Sequence, residues 1–258
     1  MIAGYEIWKI LIICVGVFLS GFVDAIGGGG GLISLPMYFI AGLPTHFALG
    51  TNKLSSCIGT TASTVRYLKK GYVDLKLAVP SAALAIIGSH FGTKLQLSLD
   101  ADILKYILIV VLVAVAVVMI FKPELSETAG VIPPLRQAVI VLAASFVIGM
   151  YDGFYGPGSG TFFLLAFCKL AKLDLRTAAG NVKVVNLASN IGALVTSILA
   201  GKVIFVIGII AGVFSFAGHF AGSDVMIKNG SKAVVPVIFT VLGLLFVKIV
   251  LELFGISF

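Results

Sequence analysis

Charge is what this 258-residue chain has least of: 18 Lys or Arg and 11 Asp or Glu, together 11% of the residues. A soluble domain carries about a quarter charged residues. The shortage excludes a water-soluble domain, a disordered chain and a charged nucleic-acid binder. Cysteine is also scarce. Cys14, Cys57 and Cys168 lie far apart inside apolar or weakly polar stretches, without metal-ligand spacing, and read as small buried hydrophobes. The three histidines, His46, His90 and His219, show no ligand spacing either and read as loop or satisfied polar residues. No histidine is spaced to activate a serine and no His/Glu metal motif occurs, so no enzyme, metal or cofactor is expected.

What the chain has in abundance is apolar length: 59% of it is hydrophobic. Runs such as Ile103 to Phe121 match the roughly 20 residues that cross a ~30 Å hydrocarbon core. The expected fold is all-α and polytopic, embedded in a bilayer with little outside it. Apolar segments read as 7–26, 32–43, 47–67, 75–97 and 102–121, then 136–155, 161–172, 177–200, 203–222 and 233–254. The first is taken as a retained helix and not a signal peptide, because Asp24 and five glycines make a poor cleavage site. Segments 32–43 and 161–172 are too short to span upright and suggest broken or re-entrant helices. The expectation is therefore eight full spans plus two short segments, or ten crossings. Residues 122–135, with Pro123, Pro133 and Pro134, form the linker between a first repeat, 1–121, and a second, 136–258.

Shifting the sequence by 130 exposes the repeat. Ala48, Gly50, Lys53, Gly71, Val73, Gly88 and Gly92 fall on Ala178, Gly180, Lys183, Gly201, Val203, Gly218 and Gly222. With one or two residues deleted, Asp24 falls on Asp152, and Gly27, Gly29 and Gly31 fall on Gly156, Gly158 and Gly160. Four loops carry 11 of the 18 basic residues: 66–76, the linker with Arg136, 169–176 and 223–232. The excess of Lys and Arg places these loops in the cytoplasm, and the net charge of +7 is of the same origin. Corresponding loops of the two halves then fall on opposite faces, so the halves insert upside down. Inverted repeats with broken helices are the layout of many secondary transporters, whose site lies near the midplane between the repeats.

Lys53, Ser56, Thr60 and Thr64 share one helical face, and the shifted face carries Lys183, Asn186, Asn190 and Leu194, with Ser197 a turn on. Each lysine lies about 9 Å into its helix at 1.5 Å per residue. Either the lysines snorkel to the interface, or two matched stripes line a polar cavity. The match favours the cavity, and donors with no carboxylate on their face suit an anion. Asn52 and Asn181 stand beside the lysines as helpers. The glycine breaks, including Gly29, Gly31, Gly158 and Gly160, each open a short helix near Leu32 or Thr161, whose N–H groups attract an anion. No strand precedes either break and no Gly-Lys-Ser/Thr follows, so neither is a P-loop. Asp24 and Asp152 carry a coupling proton, pair with the lysines, or cap the broken backbone. Gly88-x-x-x-Gly92 and Gly218-x-x-x-Gly222 read as close helix packing.

These features resemble the TauE/SafE family of sulfite exporters over essentially the whole length. The resemblance rests on Gly21-Phe-Val-Asp24 through the glycines to Pro36, on Gly50-Thr51-Asn52-Lys53, and on Gly149-Met-Tyr-Asp152-Gly-Phe-Tyr-Gly156-Pro-Gly158-Ser-Gly160-Thr161. Ala166, standing where Pro36 does, departs from the repeat. The resemblance implies a multi-pass carrier of the plasma (inner) membrane that moves small sulfur-containing anions such as sulfite or organosulfonates without ATP hydrolysis. The expected mechanism is alternating access, exporting the anion and coupled to a proton or to the membrane potential. The alternatives are a passive anion channel or an uptake carrier for another small anion.

Overall fold

A computed structural model describes residues 1, 3–101, 103, 104, 106, 107, 128–230 and 232. The segments expected at 102–121 and 233–254, and linker residues 122–127, lie almost wholly outside the described residues. The described residues are helical, with no strand among them. In chain order the helices are α1 (Ile7–Gly27), α2 (Gly31–Ile40), α3 (Thr45–Lys69) and α4 (Leu75–Leu97). After the linker come α5 (Pro134–Phe154), α6 (Ser159–Leu165), α7 (Leu175–Leu199) and α8 (Phe205–Asn229).

Local chemistry sets these limits. Asp74 caps α4 by accepting from the Lys76 N–H at 3.0 Å, and Asp174 caps α7 by accepting from the N–H groups of Arg176 and Thr177. Pro134 opens α5 at a position where its missing N–H costs nothing. The two short helices lose regular bonding at corresponding places by different means. Pro36 removes an N–H inside α2, whereas α6 passes at Ala166 into a π-helical turn, Ala166–Leu170.

The bundle is polar within and apolar without. Leu11, Val15 and Leu19 of α1, Val79 and Phe91 of α4, and Val213 and Phe216 of α8 are exposed, while Thr51, Lys53, Ser63, Asn181, Lys183 and Ser189 are buried. Among the described residues, α1, α4, α5, α7 and α8 are long and apolar enough to cross a membrane. The protein is thus membrane-embedded. The helix α3 is 25 residues long but more polar, and α7 and α8 flank it.

Packing runs α1 on α8, α4 on α5, α3 on α8, α4 on α7, and α3 on α7 in the middle. Small residues let the backbones meet. A Cβ on Gly88 or Gly92 would overlap the Phe146 or Met150 carbonyl of α5, and one on Gly218 or Gly222 would overlap the Phe18 or Phe22 carbonyl of α1.

Candidate functional site

The two central helices carry the two lysines into the interior. Lys53 is 7% exposed and Lys183 2% exposed, so neither reaches the interface by snorkelling. Each meets an aspartate from the other half. Lys53 Nζ donates to the Asp152 carbonyl at 2.7 Å and lies 3.0 Å from its carboxylate. Lys183 Nζ donates to the Asp24 carbonyl and lies 3.2 Å from the Asp24 carboxylate. The stripes are therefore not free cations, as the absence of a carboxylate on their own faces suggested. The neutralising charge arrives from helices far away in sequence. Such a pair tolerates burial because each charge has both an opposite charge and hydrogen bonds.

The aspartates also hold the broken backbone. Asp24 accepts from the Gly30 N–H at 3.3 Å, while Asp152 accepts from the hydroxyls of Ser159 and Ser189, both at 2.6 Å. Pairing and capping, two of the three roles open for these carboxylates, thus coexist in the same side chains.

Between the two glycine breaks, α3 and α7 lies a small polar cavity. Of the residues singled out by sequence, Asp24, Gly29, Gly31, Asn52, Lys53 and Ser56 line it, as do Thr60, Asp152, Gly158, Asn186 and Asn190. Lys183, Asn181, Gly160 and Thr161 are not among the lining residues. Lys183 is turned to Asp24, and Asn181 Oδ1 accepts from the Asp74 N–H at 2.8 Å. Thr161 Oγ1 donates to the Gly27 carbonyl at 3.0 Å. Gly28 has φ of 78°, a left-handed conformation, and a Cβ there would strike Gly160 and the Thr161 nitrogen. Gly160 and Thr161 are therefore packed against the end of the first break, whereas Gly158 and Ser159, like Gly29–Gly31, line the cavity.

Sequence reasoning missed Ser20, Ser34, Ser55, Tyr155, Ser159, Ser215 and His219, all of which line the cavity. Ser20 precedes Asp24 by one helical turn, and Ser215 precedes His219 by one, so helical spacing would have found these two pairs. His219 packs beside the first aspartate: its Nε2 is 3.9 Å from Asp24, and its Nδ1 is 3.2 Å from Ser63 Oγ. Nothing in the spacing points to Ser34 or Tyr155, because the breaks decide which way they face.

Similarity to known proteins agrees with this architecture. Residues 12–249 match the family described as Sulfite exporter TauE/SafE. The chain is 35% identical over 224 residues to the Probable membrane transporter protein ORF9 of Sinorhizobium sp, covering 87% of this chain and 85% of that one. It is 34% identical over 237 residues to the Probable membrane transporter protein YfcA of Escherichia coli (strain K12), covering 92% and 88%. A Bacillus subtilis (strain 168) relative, Probable membrane transporter protein YdhB, is 24% identical over 210 residues, covering 80% and 84%. No solved structure matches. With its buried polar cavity inside a lipid-facing helical bundle, this chain belongs to the TauE/SafE family of membrane transporters.

Proposed function

We propose that the protein is a secondary carrier that exports small sulfur-containing anions such as sulfite or organosulfonates across the plasma membrane, by alternating access between two inverted repeats. The observation that carries this reading is the crossed pair of buried ion pairs, Lys53–Asp152 and Lys183–Asp24, beside one polar cavity. The anion enters the cavity, shares the Lys53 ammonium with Asp152 and meets the glycine-lined start of α2 at Gly29–Gly31. Several donors together replace its lost hydration. A proton on Asp152 or Asp24 would loosen the corresponding lysine, which gives the cycle a route to proton coupling.

The inverted repeat, with units 1–121 and 136–258 joined by a cytoplasmic linker, 122–135, is supported by contacts that swap under the 130-residue shift. Gly50 meets the Lys202 carbonyl and Gly180 meets the Tyr72 carbonyl. Thr51 Oγ1 accepts from the Ile204 N–H at 3.0 Å, as Asn181 Oδ1 does from Asp74. In the same way α1 on α8 exchanges with α5 on α4. Two halves related in this way are what a rocking motion requires, the halves moving around one site at Lys53.

The test is sulfite flux in liposomes containing the purified protein. Saturable flux with counterflow is expected, falling to background in Lys53→Ala and in Lys183→Ala while both still elute as folded protein. Ohmic single-channel currents would identify a passive pore, and inward coupled flux an uptake carrier. Unchanged flux in both alanine variants would overturn the assigned site.

A further inference from the structure

The cavity contains polar groups that nothing among the described residues satisfies. Ser34 Oγ, Asn52 Oδ1 and Tyr155 Oη have no hydrogen-bond partner among the described residues, and all three residues line the cavity. They are 2%, 6% and 2% exposed. Buried polar atoms without partners are rare and costly, and a cluster of them facing one space is an imprint of what fills it. The neighbouring carbonyl is already used: Gly30 O accepts from Ser20 Oγ at 2.7 Å and from the Ser34 N–H at 3.0 Å. Ser34 Oγ is thus left over. The set comprises two hydroxyl donors and an amide that presents oxygen or, turned over, nitrogen.

The charges on the walls set the valence of the guest. Lys53 is balanced by Asp152, and Lys183 by Asp24, so the two ionised pairs sum to zero. His219, between Asp24 and Ser63, adds a positive charge only when protonated. Among the described residues the cavity therefore offers neutral donors and a shared ammonium, with no cation to spare. The cost of taking an ion out of water rises with the square of its charge, so a second negative charge on the guest is far more expensive than the first. Hydroxyl donors relieve the first charge, and no further charged group among the described lining residues relieves the second.

Building on the anion-carrier reading above, we infer that the site selects singly charged oxyanions, held by Lys53, Ser34, Tyr155 and Asn52, and rejects doubly charged ones of the same size. The 130-residue shift does not repeat this set, to which the second half contributes Tyr155. The residues that fall on Ser34 and Asn52 under the 130-residue shift are Leu164 and Val182.

Methanesulfonate and sulfate test this directly, since both are tetrahedral sulfur oxyanions but near neutral pH one carries a single charge and the other two. Binding to the purified full-length protein is measured by calorimetry and by thermal unfolding. Methanesulfonate should bind at least about tenfold more tightly than sulfate, the scale of one unrelieved charge in a poorly solvated site. Tyr155→Phe and Ser34→Ala should each weaken methanesulfonate binding several-fold while leaving the melting temperature of the unliganded protein nearly unchanged. Asp152→Asn, which removes one negative charge from the wall, should shift the preference towards sulfate. Sulfate binding as tightly as methanesulfonate would overturn the valence rule and leave the anion site standing. Equal methanesulfonate affinity in wild type and both hydroxyl variants would overturn the placement. Binding of neither anion would overturn the anion-site reading itself.

Discussion

Where α2, α3 and the end of α5 meet, Ser34, Asn52 and Tyr155 border open space with unbonded polar atoms, whereas around the start of α6 the polar side chains are engaged. There, Thr161 bonds the Gly27 carbonyl, Ser159 bonds Asp152, and the Tyr151 hydroxyl donates to the Pro157 carbonyl. The ion pairs follow the same division, Lys53 lining the cavity and Lys183 lying outside it. Matched sequence motifs thus meet different surroundings, and the residues around them decide which side chains face the open space. Polar residues stand at 34 and 52, and apolar ones at the shifted positions 164 and 182.

The largest effect that separates the two regions should come from the lysines. Lys53→Ala leaves Asp152 buried and uncompensated and should cost about 3–5 kcal/mol in stability, with Lys183→Ala costing a similar amount through Asp24. In wild type against Lys53→Ala, Asp152→Asn and the double variant, thermal unfolding in detergent should show the double variant losing less than the two single losses added together. Additive losses would mean that the pair is not coupled.

Next comes the contact between the breaks. Gly28→Ala forces a side chain into a left-handed backbone and against Thr161, so it should destabilise by more than the roughly 1–2 kcal/mol of the backbone conformation alone. Gly42→Ala, with φ of 85° and open space around it, should cost only that backbone share. Equal melting temperatures for the two variants would remove the interlock.

The comparison sharpens at Thr51 and Asn181. Thr51→Val and Asn181→Leu each leave a backbone N–H unbonded, at Ile204 and Asp74, and each should cost about 1–3 kcal/mol with anion affinity unchanged. A loss in only one of them would break the equivalence of the halves. The smallest effect is expected from Thr161→Val, which removes one hydrogen bond worth about 1 kcal/mol and leaves anion binding intact. Weaker anion binding in this variant would show that Thr161 also meets the anion.

Much of this was legible in the sequence, and the reasons are physical. The helical period fixes which residues share a face, so the stripe from Lys53 to Thr60 and its counterpart from Lys183 to Asn190 could be read without coordinates. Apolar length sets the helices. The segment expected at 75–97 is α4 itself, and that expected at 177–200 is α7 to within two residues at either end. The partners of the lysines were less visible because they lie 99 and 159 residues away, and only folding brings them together. The repeat misdirected the reading at Gly160, Thr161, Asn181 and Lys183. A shift of 130 implies equal roles for matched residues, but contact with Gly28, the bond to Asp74 and the turn towards Asp24 place these four outside the cavity wall. Ser34 and Tyr155 have no periodic signal, since both follow backbone turns whose geometry is set by glycine.

The most direct test of the central claim, that the anion sits at the first break against Lys53, is an experimental structure of the full-length protein with methanesulfonate bound. The account predicts the anion within hydrogen-bonding distance of Lys53 Nζ, Tyr155 Oη and Ser34 Oγ, beside Gly29–Gly31. An anion bound instead beside Lys183 and Thr161, or anywhere that leaves the Lys53–Asp152 pair closed and untouched, would contradict it.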